Sequence, residues 1–163
     1  MANTVALAIG VAFTVISVLG FIAPMIGGLH LSPAHTLINL VAAIFALFFG
    51  LIATDKGARS FCLAIGGLFM AFGAIGFLAG SAQATTLNAM EPIIDSALWK
   101  IFPGQLEFGY RDHILHLVMG GILMAGGLAG ERRRATRPAV LREQRKLERT
   151  EANRQRAMQR LPH

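Results

Sequence analysis

The chain has 163 residues, 54% of them hydrophobic, a mean hydropathy of +0.56 and a formal net charge of +6. That length gives room for one domain, the oiliness excludes an ordinary water-soluble globule, and the single cysteine, Cys62, excludes an internal disulfide. Charge is segregated: no Asp, Glu, Lys or Arg falls within residues 2–54, 60–90 or 113–130. Uncharged apolar runs of about 20 residues are what a helix needs to cross the hydrocarbon of a bilayer.

Four spans are predicted, at 5–26, 34–53, 60–79 and 113–130. The first lacks the basic stretch and cleavage site of a secretory signal, so it reads as a retained helix. Ser32 and Pro33 mark the start of the second span as N-cap and first helical residue. Gly57 suits its exit, in the short link TDKGAR that carries Lys56 and Arg59. The third span then repeats the first. AIGGLFMAFGAIGFLA (64–79) matches AIGVAFTVISVLGFIA (8–23) at Ala8/Ala64, Ile9/Ile65, Gly10/Gly66, Phe13/Phe69, Gly20/Gly76, Phe21/Phe77 and Ala23/Ala79. The fourth span echoes the second, DHILHLV (112–118) against HTLINLV (35–41).

The architecture expected is therefore an all-α membrane protein: four transmembrane helices as two parallel-repeat hairpins, in a domain over residues 1–130. The offset between copies is 56 residues in the first match and 77 in the second, so the outer connection 80–112 carries about 21 extra residues. That insertion reads as an interfacial helix. Asn88 and Glu91 supply a cap, Pro92 fits the first turn, and Ile93, Ile94, Ala97, Leu98 and Ile101 share a helical face. Trp99, Phe102 and Tyr110 place aromatic rings at headgroup level or offer a partner a docking surface. Asp112 then caps the fourth span.

Helices in lipid associate through small residues. Ala8, Ala12 and Gly20 form one such stripe, and Ala42, Ala46 and Gly50 a second. Gly67 with Ala71 and Gly76 with Gly80 form a third, and Gly121, Ala125 and Ala129 a fourth.

Chemistry-bearing residues gather at the outer helix ends. His30, His35, His113 and His116 lie there, with Asn39 and Asp112 each one turn from a histidine. The first reading is structural: Asn39, Asp112 and His116 make polar contacts between helices, which a bilayer requires of buried polar groups. On that reading no cofactor and no metal is expected. The alternative is a haem, pigment or metal ion held by His35, His113 and His116, with Asp112 orienting His116. No nucleophile–base constellation and no phosphate-binding loop is visible, so the chain does not read as an enzyme. Mid-span polarity is little more than Thr14, Ser17 and Asn39, which disfavours an ion-coupled carrier.

The tail, 131–163, is different material. Its eleven basic residues outnumber four acidic ones for a net of +7, leaving −1 on residues 1–130. It reads as a basic cytoplasmic helix. Arg132, Arg133, Arg134 and Arg137, with Lys56 and Arg59, put both termini on the cytoplasmic side and face anionic lipid headgroups. The high isoelectric point comes from this tail alone and does not argue for nucleic acid.

The glycine-punctuated spans ending Gly20–Phe21 and Gly76–Phe77, each followed by an outer loop and a start such as SPAHTLINL or YRDHILHLVMG, resemble a bacterial membrane family. It is known as domain of unknown function 4383, and its members look like four-helix proteins with two such hairpins. The resemblance covers residues 5–130, leaves the tail unmatched, and departs in having Asn39 where the second hairpin has His116. It implies a multi-pass protein of the bacterial inner membrane and no particular reaction. The function expected is an accessory or scaffold subunit of a larger membrane complex, with cofactor carriage as the alternative and small-solute transport as the third reading.

Overall fold

The computed structural model describes residues 1–87 and 93–129, with Gln144, Leu147 and Glu148 as isolated helical positions in the tail. In chain order the elements are α1 (Ala2–Ile22), β1 (Met25–Ile26), β2 (Leu29–His30), α2 (Pro33–Leu51) and α3 (Asp55–Ala79). There follow β3 (Ser81–Ala84), β4 (Ile94–Phe102), β5 (Leu106–Phe108) and α4 (Tyr110–Ala129). All four helices are long and apolar enough to cross a membrane. Their outward faces carry side chains that water would penalise and lipid would not: Val15 and Ile22 on α1, Ile44 and Leu51 on α2, Leu78 on α3, Val118 on α4.

Between them lies a small-residue core. Ala2, Ala6, Ala43, Ala46, Ala58 and Cys62 are buried, which lets the backbones approach, and Ile9, Phe13, Met119 and Leu123 fill what remains. Phe13 meets Phe69 edge-on at 5.3 Å and Phe49 stacks on Phe61 at 4.7 Å. Polar groups inside the helices are satisfied locally. Thr14 and Ser17 donate to the carbonyls of Gly10 and Phe13 one turn back. The Asn3 amide donates to the carbonyls of Phe49 and Ala53, covering orphan acceptors at the end of α2.

The duplication seen in the sequence is a duplication of packing. A Cβ on Gly10 would press on Leu47, and one on Gly66 on Met124; Gly20 sits against Thr36, and Gly76 against His113. Gly50 lies on Leu7, and Gly127 on Leu63. Each second contact is the first one moved by the two repeat offsets, 56 residues on α1/α3 and 77 on α2/α4. The same offsets carry Met25–Ile26 onto 81–82 at the start of β3, and Leu29–His30 onto Leu106–Glu107 in β5. In the first hairpin β1 pairs directly with β2 through the Gly27–Gly28 turn, both residues at positive φ. In the second, β4 is wedged between the equivalent strands, giving the antiparallel order β3-β4-β5.

Several expectations are corrected here. The insertion is not an interfacial helix over 93–101 but strand β4. The residues expected to share one helical face are divided: Ile93 and Ile94 are 44% and 74% exposed, while Ala97 and Leu98 are both buried. Strands β3 and β5 offer unpaired ladders on both sides of this segment, and tertiary pairing overrides its helical spacing. The segment TDKGAR is not a loop. Thr54 caps α3, its side-chain oxygen accepting from the Gly57 amide at 3.2 Å, so Gly57 lies in the first turn of α3 and not at the exit of α2. Asp112 is not the N-cap of α4, whose first residue is Tyr110. Of the small-residue stripes, Gly67 and Gly121 meet nothing and Ala8 is exposed. The expected cap helix at Asn88, the rest of the basic tail helix, and Arg132, Arg133, Arg134 and Arg137 lie outside the described residues.

Candidate functional site

Buried polar groups concentrate at the strand-bearing end of the bundle, where His30, Ser32, His35, Thr36, Asn39, Thr85, Glu107, Asp112, His113 and His116 are all buried. Most of them bind backbone. Asp112 Oδ2 accepts from the amides of Gly109 (2.7 Å) and His30 (3.0 Å), so one carboxylate oxygen joins the head of α4 to β2. Asp95 Oδ1 accepts from the amides of Tyr110 and Ala97, both at 2.9 Å. Two carboxylates thus meet the orphan amides at the start of α4, where the helix dipole favours negative charge. Gly109 is required there: a Cβ would strike the His30 ring and Asp95 Oδ2.

His35 Nδ1 lies 2.7 Å from the His30 carbonyl. A carbonyl oxygen can only accept, so His35 carries its proton on Nδ1 and keeps a lone pair on Nε2. By the same logic His113 donates from Nε2 to the Ala97 carbonyl at 2.9 Å, which ties α4 to β4. His30 Nδ1 stands 3.4 Å from Asp112 Oδ2, an ion pair only when the imidazole is protonated. Glu107 is fully buried on β5. It accepts from Thr85 Oγ1 (2.9 Å), the Thr86 amide (3.1 Å), Thr86 Oγ1 and the Gly104 amide (2.8 Å). Burial alone would raise its carboxyl pKa, but these four donors outweigh it and hold the group below its ordinary value.

Among the hollows in the described residues, two have members of this network in their walls. One, of about 380 Å³, opens at the strand-bearing end between the β1–β2 turn, β4 and α4, with His30, Asp95, Tyr110 and Arg111 in its wall. The Arg111 guanidinium donates to the Gly27 carbonyl across it at 2.5 Å. The other, of about 110 Å³, lies between α2, α3, α4 and β5 and is almost wholly apolar, with His35, Asn39 and His116 as its polar members. Asn39 and His116, equivalent in the repeat, therefore line one cleft. The His35 and His116 rings are 5.8 Å apart, with Phe69, Phe72 and Phe108 at 5.5, 6.1 and 5.6 Å from His116.

No protein-family model, no curated protein and no solved structure matches this chain.

The expected site residues thus divide. His35 and His116 come together, while His113 is drawn to β4 and does not line their cleft. Asp112 binds Gly109 and His30 and not His116. The cleft, at about 110 Å³, is smaller than the roughly 300–1,000 Å³ of sites for drug-sized ligands. Among the described residues, no group of three or more His, Cys, Asp or Glu is placed to hold a metal. Trp99 turns inward, 5.5 Å from Phe72 and 6.1 Å from Phe108; Phe102 and Tyr110 are 62% and 45% exposed. Sequence reading missed Glu107, Thr85 and Thr86 as one network, and Asp95 as the acceptor for the amides of Ala97 and Tyr110. The repeat carried a usable signal for Glu107, because the 77-residue offset sets it opposite His30.

Proposed function

We propose that this chain is a non-catalytic, multi-pass protein of a bacterial inner membrane, acting as an accessory or scaffold subunit of a larger membrane complex. One observation carries the reading: five of the titratable groups at the strand-bearing end are spent on backbone. His35, His113, Asp95 and Asp112 each bind a carbonyl or amide that holds a strand segment to a helix, and Glu107 ties β5 to the residues after β3. A site that moves protons or bonds would leave such groups facing substrate; these build a rigid cap. Lys56, Arg59 and the arginines that follow α4 favour both termini in the cytoplasm and the cap outside. The basic tail meets anionic headgroups, and the exposed Phe102 on the cap is where a second subunit would seat.

The test is stoichiometry in native membranes. Purified in mild detergent from its own host, the chain should bring down a membrane protein at comparable abundance. Phe102→Asp or removal of the tail should release that partner without lowering the melting temperature. A solitary particle in native gels and by mass spectrometry would end the scaffold reading.

A further inference from the structure

We infer that the cleft between α2, α3, α4 and β5 binds the ring of a lipid-soluble quinone or quinol, entering sideways from the hydrocarbon. This goes beyond the scaffold reading and stands or falls separately. The first ground is an imbalance inside the spans. Thr14 and Ser17 satisfy themselves on their own helices, but the Asn39 amide, 4% exposed, has no hydrogen-bond partner among the described residues. His116 Nδ1 is likewise buried without a partner. Polar groups are not left unpaired in hydrocarbon without cost, so this pair marks a place for a ligand that brings oxygen atoms.

The second ground is complementarity. Because His35 donates from Nδ1 to the His30 carbonyl, its Nε2 lone pair is left to accept. The Asn39 amide supplies both a donor and an acceptor. A quinol hydroxyl satisfies the imidazole, and a quinone carbonyl takes the amide hydrogen. The third ground is shape. An apolar cavity on the order of 150 Å³ holds a benzene ring, and this cleft of about 110 Å³ has an open mouth, so a ring enters with its substituents outside. Phe69, Phe72 and Phe108 around His116 form walls against which a flat ring stacks.

The last ground is access. The mouth is framed by Ile38 and Leu68, which are 49% and 53% exposed on helix faces suited to lipid. A ring anchored by a hydrocarbon tail diffuses in the plane where such a mouth opens. The larger hollow beside His30 has Asp95 and Arg111 in its wall, so it is not the ring's site.

Trp99 makes the test direct. It is the only tryptophan, and it packs on Phe72 and Phe108 behind the cleft wall. The full chain in lipid nanodiscs is titrated with 2-decyl-1,4-benzoquinone, which quenches tryptophan fluorescence at short range. Saturable quenching at one ring per chain is expected, weakened tenfold or more in Asn39→Leu. Ile38→Phe, a lipid-facing change that narrows the mouth, should weaken it as well. That variant decides the matter should Asn39→Leu fail to fold. Quenching that rises linearly with probe reports partition into lipid only and overturns the inference. So does saturable quenching that both variants leave unchanged, because the ring then sits elsewhere.

Discussion

Asp112 joins two pieces of the molecule, the head of α4 and β2, through a single atom. Its Oδ2 accepts from both Gly109 and His30, while Oδ1 is buried with no partner. That asymmetry separates two substitutions. Asp112→Asn can place its amide oxygen where Oδ2 stands and keep both bonds, losing only their charge assistance. Asp112→Ala orphans two buried amides, each costing about 1–3 kcal/mol. Thermal unfolding in detergent should show the alanine variant several degrees below the asparagine one, and equal losses would mean the bonds are not what joins α4 to β2. Glu107 gives a pH prediction. Its folded pKa lies below its ordinary value, so its stabilisation is complete above the ordinary glutamate pKa of about 4.3. It is lost as pH falls through the lowered folded value. Glu107→Gln, which sets an amide donor against the donors of Thr86 and Gly104, should lower stability at neutral pH and flatten the acid limb between about pH 4 and the folded value. An unchanged acid limb in the variant would place the acid sensitivity on other carboxyls.

Element packing turns on which glycines touch a backbone. Gly66 and Gly67 are neighbours with opposite surroundings: a Cβ on Gly66 would lie 2.9 Å from the Gly120 carbonyl and the Met124 amide, and one on Gly67 meets nothing within 4 Å. Alanine in a helix interior is favoured over glycine by about 1 kcal/mol, so Gly67→Ala should be neutral or stabilising. Gly66→Ala must push α3 off α4 and should cost about 1–3 kcal/mol despite the same propensity gain. Melting curves of the pair decide it, and similar behaviour would refute the close approach. The sequence alone could not make this distinction. It announced the duplicated spans through Gly10/Gly66 and Gly20/Gly76, and those four do face the partner helix in equivalent pairs. Gly67 and Gly121 share the letter without the contact, because periodicity gives a helix face but not its orientation. The cap was less legible still. Residues 94–102 carry a helical spacing that would have put Ile94 on one face with Ala97, Leu98 and Ile101, and only the ladders of β3 and β5 make them a strand. At the cleft, the equivalence of Asn39 and His116 was readable from the repeat, whereas the loss of His113 to the Ala97 carbonyl depended on β4.

At the scale of the whole molecule, the protein is one hairpin design used twice, with a strand inserted in the second copy. The first copy shows what the second lacks the need for: β1 and β2 close through Gly27–Gly28 with no third strand. The equivalent strands β3 and β5 should therefore close the same way. Replacing residues 83–105 by Gly-Gly removes 21 residues net and restores the spacing of the first hairpin. Three losses are foreseeable from the structure. His113 forfeits the Ala97 carbonyl, Tyr110 forfeits Asp95, and Glu107 forfeits Thr85, Thr86 and Gly104. Of these, the carboxylate stranded without donors costs most, since an uncompensated buried charge is far worse than an unpaired neutral group. The shortened chain should keep the helical circular dichroism expected of α1 to α4 and melt at a lower temperature. Adding Glu107→His, the residue that the first copy carries at this position, should recover part of the loss. Collapse of the helical signal in both variants would show that β4 is part of the bundle's foundation and not a later addition to its cap.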